Sequence, residues 1–179
     1  MATLTQILSV FTVAYPNIGL CILSSSKSEH LIDASGGYTV FSTSGIEAGF
    51  DVINPNKITF DMLQIDNKLI VGQKGGQCDC AFFYDDAFNF LEFKTNVTSL
   101  KNVRKKYKKA EDQISNTIKT FISKGIDVKT LASSVSAHIC FNNSFPRKKA
   151  NEMSRAIQFA NNADTKGIGL YFENKVYIL

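Results

Sequence analysis

With 179 residues, 44% of them hydrophobic and 20% charged, the chain has the composition of one folded domain and excludes a disordered tail or a fibre. A net charge of +4 excludes a uniformly basic nucleic-acid coat, so a polyanion would have to be met by local clusters. No run approaches the roughly 20 apolar residues of a bilayer-crossing helix, and Met1 to Tyr15 lacks a positively charged start and a small-residue cleavage pattern, so a cytoplasmic protein with no membrane partner is expected.

Residues 3–14 are apolar and read as a short helix or a buried strand, the run being too short to decide. Residues 17–26 read as a strand leading to a turn. Residues 33–60, punctuated by Gly36, Gly37, Gly45, Gly49 and Pro55, read as strands and loops. Residues 57–71 read as one or two strands, KITFDMLQI and then NKLIVG, and Lys74 to Gln77 as a turn.

Residues 78–95 (CDCAFFYDDAFNFLEFKT) read as two apolar strands joined by a turn, with Asp85 and Asp86 as solvated turn formers at the tip. Asp79 lies near the start of the first strand, and Glu92 and Lys94 near the end of the second. Antiparallel pairing brings those two ends together, and alternation puts Glu92 and Lys94 on one face. Carboxylates in such apolar company are costly unless compensated, and a divalent cation held by hard oxygen ligands is one natural compensator. The same alternation predicts that Cys78 and Cys80 share the face opposite Asp79. They read as core packing, because a zinc site needs about four nitrogen or sulfur ligands at recognisable spacing, and Cys21 and Cys140 do not form a second pair.

After Thr95 the period changes. Leu100, Val103, Tyr107, Ala110, Ile114, Ile118, Phe121 and Ile122 mark an amphipathic helix, with Ser99 as its N-cap and Gly125 as its stop. Its first half carries Lys101, Arg104, Lys105, Lys106, Lys108 and Lys109, charges that the helix dipole disfavours there and that phosphates would offset. A solvated face is the competing reading. Residues 134–142 read as a buried strand, in which His138 and Cys140 pack. Residues 147–162, opening on Arg147, Lys148 and Lys149, read as a second helix, and residues 167–179 as two strand runs around Glu-Asn-Lys.

Asp79 with Glu92-Phe93-Lys94 resembles the PD-(D/E)xK nuclease superfamily, which includes restriction endonucleases, Holliday-junction resolvases and small exonuclease-like proteins. The usual proline before the Asp is replaced by Cys78. The resemblance spans residues 68–142, within a single domain whose residues 1–67 are an N-terminal elaboration and whose residues 143–179 are a C-terminal helix and strands. It implies an α/β (α+β) fold with one mixed central β-sheet flanked by helices, a restriction-endonuclease-like core. It further implies that Asp79 and Glu92 bind Mg²⁺ (or Mn²⁺), that the Phe93 carbonyl joins them, and that Lys94 orients or deprotonates the attacking water. The function so implied is metal-dependent hydrolysis of phosphodiesters, expected in DNA, as an effector of prokaryotic defence or repair, acting as a homodimer or with a targeting protein. The alternative is a catalytically silent subunit that keeps the fold and binds nucleic acid or a protein. The upstream acid that the family often carries has Glu47 as its candidate and Glu29 as a rival. Gln113 matches half of a helix motif of the exonuclease-like branch, the partner position being Thr117. A polar helix-surface role is the competing reading of Gln113.

Overall fold

The computed structural model describes residues 4–42, 48–72, 76–95, 103–142 and 149–179. The first element is a helix, α1 (Leu4–Ala14). Its inward side chains, Ile7 and Phe11, are one turn apart and buried, while Thr5, Gln6, Ser9 and Thr12 are exposed. A 3₁₀ turn over Ile18–Cys21 leads into β1 (Ile22–Ser25). There follow β2 (Glu29–Asp33), β3 (Thr39–Ser42), β4 (Phe50–Ile53) and β5 (Phe60–Gln64). The expected NKLIVG strand is instead a turn closed by a single bridge between Asp66 and Ile70. Its apolar residues pack as a loop, since Ile70 is buried but Val71 is exposed.

The hairpin comprises β6 (Cys80–Tyr84) and β7 (Ala87–Lys94), paired from Cys80 opposite Leu91 to Tyr84 opposite Ala87. Asp85 at its tip is exposed with φ +47°, and Asp86 accepts a hydrogen bond from Ser133 Oγ at 2.7 Å. The long helix is α2 (Val103–Ser123); its expected cap Ser99 lies outside the described residues. Gly125, at φ +78°, ends it, with Gly125 N–H bonded to Ile122 O and Ile126 N–H to Phe121 O. A four-residue helix, α3 (Val128–Leu131), was not anticipated; Asp127 caps it by accepting from Lys129 N. Then come β8 (Ser134–Phe141), α4 (Lys149–Asn161), β9 (Gly169–Tyr171) and β10 (Lys175–Tyr177).

The strands form two mixed sheets rather than the single central sheet expected. A six-stranded sheet runs β1-β5-β6-β7-β8-β9, antiparallel from β1 to β7 and parallel across β7-β8 and β8-β9. A four-stranded sheet runs β10-β4-β2-β3. The physical reason lies in β5, β6 and β7, which are buried on both faces and so need cover on both. On one face Phe11, Ile114, Ile118 and Phe121 of the helices pack with Ala81, Phe83, Phe88 and Phe90. On the other, Leu31, Phe50 and Val52 of the second sheet pack with Met62, Cys80, Phe82, Leu91 and Phe93. Cys78 and Cys80 do not share a face as expected: Cys78 lies in the helix-side core and Cys80 between the sheets. The chain bends at Asp79 and β6 begins only at Cys80, so strand alternation does not reach back to Cys78. Among the described residues no helix is long and apolar enough to cross a membrane.

Candidate functional site

Along β7, Phe88 and Phe90 face the helices and Leu91 and Phe93 face the second sheet. Continuing the alternation, Glu92 and Lys94 extend the helix-facing column and end it in charge beneath α2. Glu92 is 1% exposed and Lys94 7%. Lys94 Nζ donates to Glu92 Oε1, to Phe93 O at 3.1 Å and to Gln113 Oε1 of α2 at 3.0 Å. The surface role weighed for Gln113 does not hold, because this side chain is buried and tied at both ends. Its Nε2 donates to Gln77 O at 2.9 Å. One turn on, Thr117 accepts from Cys78 N–H at 2.9 Å and donates its own hydroxyl proton within the cluster of Gln77 Oε1 and Gln113 O, each 3.0 Å away. Gln113 and Thr117 thereby fasten α2 to the segment that leads into Asp79.

Asp79 stands just before β6 and faces the end of β7. Its Oδ2 accepts from Phe93 N–H at 2.6 Å, and its carbonyl accepts from Ile65 N–H at 3.0 Å and Asp66 N–H at 3.2 Å. The antiparallel pairing read from the sequence thus brings Asp79, Glu92 and Lys94 to one end of the hairpin. Burial pushes the Asp79 carboxyl up to about 7, against the pull of the Phe93 N–H and of Lys94. Burial also raises Glu92 well above the ordinary carboxylate range; the negative Asp79 adds to this and Lys94 opposes it. Glu92 Oε2 is buried and has no hydrogen-bond partner among the described residues.

Two acids join the rim that the sequence reading did not single out, Asp33 at the end of β2 and Asp66 after β5. Desolvation raises both, each feels Lys94, and Asp66 also feels Lys109 of α2. Asn67 Nδ2 donates to Gly37 O at 2.9 Å and Lys68 Nζ lies 4.6 Å from the Tyr38 ring centroid, which holds the β2-β3 turn against the Asp66 turn. No local signal in the sequence marks Asp33, because it reaches the rim through a sheet made of other strands. Asp66 is legible only as the polar residue that breaks the apolar run of β5. Among the candidate upstream acids, Glu47 lies outside the described residues. Glu29 is engaged elsewhere, accepting from Ser25 Oγ at 2.6 Å and lying 3.8 Å from Lys27 Nζ. α1 carries no acid at all.

The donor set is oxygen only: two carboxylates and the Phe93 carbonyl, with Glu92 Oε2 an unfilled acceptor. Such hard oxygens suit a magnesium-like ion, which keeps several waters and takes only one or two protein carboxylates. Among the described residues no group of three or more His, Cys, Asp or Glu side chains is arranged to hold a metal. The Lys94 ammonium rests on Glu92 and on the Phe93 carbonyl, so a cation of some kind is already what these oxygens face.

Of the basic cluster, Arg104, Lys105, Lys108 and Lys109 are exposed on α2 and Lys106 is half-buried; Lys101 lies outside the described residues, as do Arg147 and Lys148. His138 and Cys140 are buried, as expected for packing. Compared with protein-family models, with curated proteins and with solved structures, the chain matches none of them.

Proposed function

We propose that the chain is a metal-dependent nuclease that hydrolyses phosphodiester bonds of nucleic acid, with DNA as the expected substrate. The observation that carries the reading is the meeting of Asp79, Glu92 and Lys94 in one buried cluster beneath a basic helix, with one Glu92 oxygen left unpartnered among the described residues. A purely structural ion pair would not need a second buried acid beside it, because each added carboxylate raises the cost of burial. Asp79 and Glu92, with the Phe93 carbonyl, would hold Mg²⁺ or Mn²⁺. Bound there, the ion would supply Lewis acidity toward the scissile phosphate and lower the pKa of water. Lys94 would leave Glu92 and Phe93 O to orient the attacking water or to neutralise charge on the phosphate, and Gln113 would hold its ammonium meanwhile. Lys105, Lys108, Lys109 and Arg104 would contact backbone phosphates outside the cluster.

The test is cleavage of supercoiled plasmid and labelled linear DNA with Mg²⁺ or Mn²⁺. The wild type should cut only with metal, and Glu92→Ala and Lys94→Ala should each cut at least about a hundredfold more slowly. A second reading, a silent nuclease-fold subunit that binds nucleic acid or a partner protein, draws on the seat of Lys94 across the two oxygens that a metal would need. A wild type that binds DNA in a salt-sensitive way without cutting it, and variants that bind equally, would replace the first reading with the second.

A further inference from the structure

Outside the cluster of Asp79, Glu92 and Lys94, α2 and α4 border two open cavities that share Arg104 and Arg155. One, of about 520 Å³, is otherwise lined, among the described residues, by Lys105, Lys108, Lys109 and the acid Asp112, which accepts from Lys108 Nζ at 2.5 Å and so leaves the lining with a cationic excess. The other, of about 290 Å³, is otherwise lined, among the described residues, by uncharged groups, the Asn151 and Gln158 amides, the Ser154 hydroxyl and Tyr107. The two halves offer different chemistry. The cationic half suits a phosphate, whereas amides and a hydroxyl both donate and accept, as base edges and sugars require.

We infer that this groove is a nucleotide subsite, binding one phosphate on the α2 side and the attached nucleoside on the α4 side. The inference rests on the nucleic-acid reading above and extends it to Asn151, Ser154 and Gln158 of α4, beyond the basic Arg147-Lys148-Lys149 start that the sequence had marked.

The hinge between the halves is built in advance. Arg155 Nη1 donates to Glu111 Oε1 at 2.8 Å, and its guanidinium carbon lies 5.0 Å from the Tyr107 ring centroid. Tyr107 is in turn anchored by its hydroxyl, which donates to Glu152 Oε1 at 2.9 Å. An arginine fixed in this way loses little freedom on binding a phosphate or stacking a base. The groove also adjoins the cluster of Asp79, Glu92 and Lys94 along α2. Lys109 lines the cationic half and its charge is felt by Asp66 at the catalytic rim, while Gln113, one turn further, bonds Lys94. A strand held in the groove would therefore lead toward Glu92.

The experiment measures binding of a short fluorescein-labelled single-stranded DNA by anisotropy, without divalent cations, over a series of salt concentrations. All the residues changed are exposed, and a thermal melt checks that each variant folds. Lys105→Ala and Lys108→Ala should weaken binding and each reduce the salt slope by about one. Asn151→Ala and Gln158→Ala should weaken binding roughly three- to tenfold with the slope unchanged, the mark of an uncharged contact. Lys129→Ala and Lys166→Ala, on α3 and before β9, should change neither. Wild-type affinity in both Asn151→Ala and Gln158→Ala would overturn the subsite, and so would an equal fall in slope from Lys129→Ala and Lys166→Ala. The nuclease reading fails separately: a protein that binds through the groove but never cuts loses it and keeps the subsite, and one that cuts while indifferent to the groove does the reverse.

Discussion

Asp79 is held by a backbone N–H yet remains a costly anion, because one short bond from Phe93 does not replace the water lost on burial. Its folded carboxyl titrates near 7 and its unfolded carboxyl near 3.8. The folded state therefore keeps a proton that the unfolded state gives up, and stability falls as pH rises from about 4 to about 7. Asp79→Asn removes that loss, so metal-free variant protein should be more stable than wild type by on the order of 4 kcal/mol at pH 8, with the gap closing toward pH 4. Urea melts in chelator at both pH values check this. Glu92 and Lys94 were legible because two residues on one strand need only alternation to share a face. Gln113 was half legible, as a polar residue on a helix whose buried side it in fact occupies. Gln77 carried no signal and Thr117 entered only as the position where the Gln113 helix motif breaks off, since both roles depend on how α2 docks onto a loop.

The elements that were read correctly are those whose apolar period is sustained. α2 keeps a buried row from Tyr107 through Ala110, Ile114 and Ile118 to Phe121, and its end follows from Gly125. β7 and β8 pair in parallel over eight positions, Ala87 with Ser134 through Lys94 with Phe141, so the charged end of β7 is buttressed by the apolar end of β8. α1 was ambiguous because both a helix and a strand can bury its short apolar run, and only the i, i+4 pair of Ile7 and Phe11 meeting the sheet decides it. Phe11 stacks on Phe88 with centroids 6.1 Å apart and meets the edge of Phe121 at 5.0 Å. Phe11→Ala should cost about 3–5 kcal/mol, read from a shift of the denaturant midpoint, because it opens a void among rings that already touch.

At the scale of the molecule, the second sheet was not legible. Its strands are three to five residues long, and β10 joins β4 in parallel across more than a hundred residues of chain, a pairing that no local pattern encodes. Between the two sheets sits His138, with Phe50, Phe82 and Tyr171 around its ring at 5.2, 6.1 and 5.3 Å. Ser136 Oγ donates to Asn89 Oδ1 at 2.6 Å, so it receives the Nε2 proton of His138 at 3.0 Å and leaves buried Nδ1 unprotonated, with no hydrogen-bond partner among the described residues. Burial accordingly lowers His138 from 6.5 to about 4. The unfolded chain takes up this proton first, so the His138 contribution to stability is fully present above pH 6.5 and is lost as pH drops toward 4, by on the order of 3 kcal/mol, against the opposite trend that Asp79 sets over the same window. In the Asp79→Asn background, where the opposing slope is gone, adding His138→Leu should flatten that limb between pH 6.5 and 4, measured by chemical denaturation at stepped pH. The four cysteines divide between the same two layers, Cys21 and Cys78 on the helix side, Cys80 and Cys140 between the sheets, and all are buried thiols outside any disulfide. Each layer therefore carries its own pair of chemical clocks. A thiol reagent can reach a given pair only when that layer opens, so alkylation rates would time the two halves of the core independently and tell whether they come apart together or in turn.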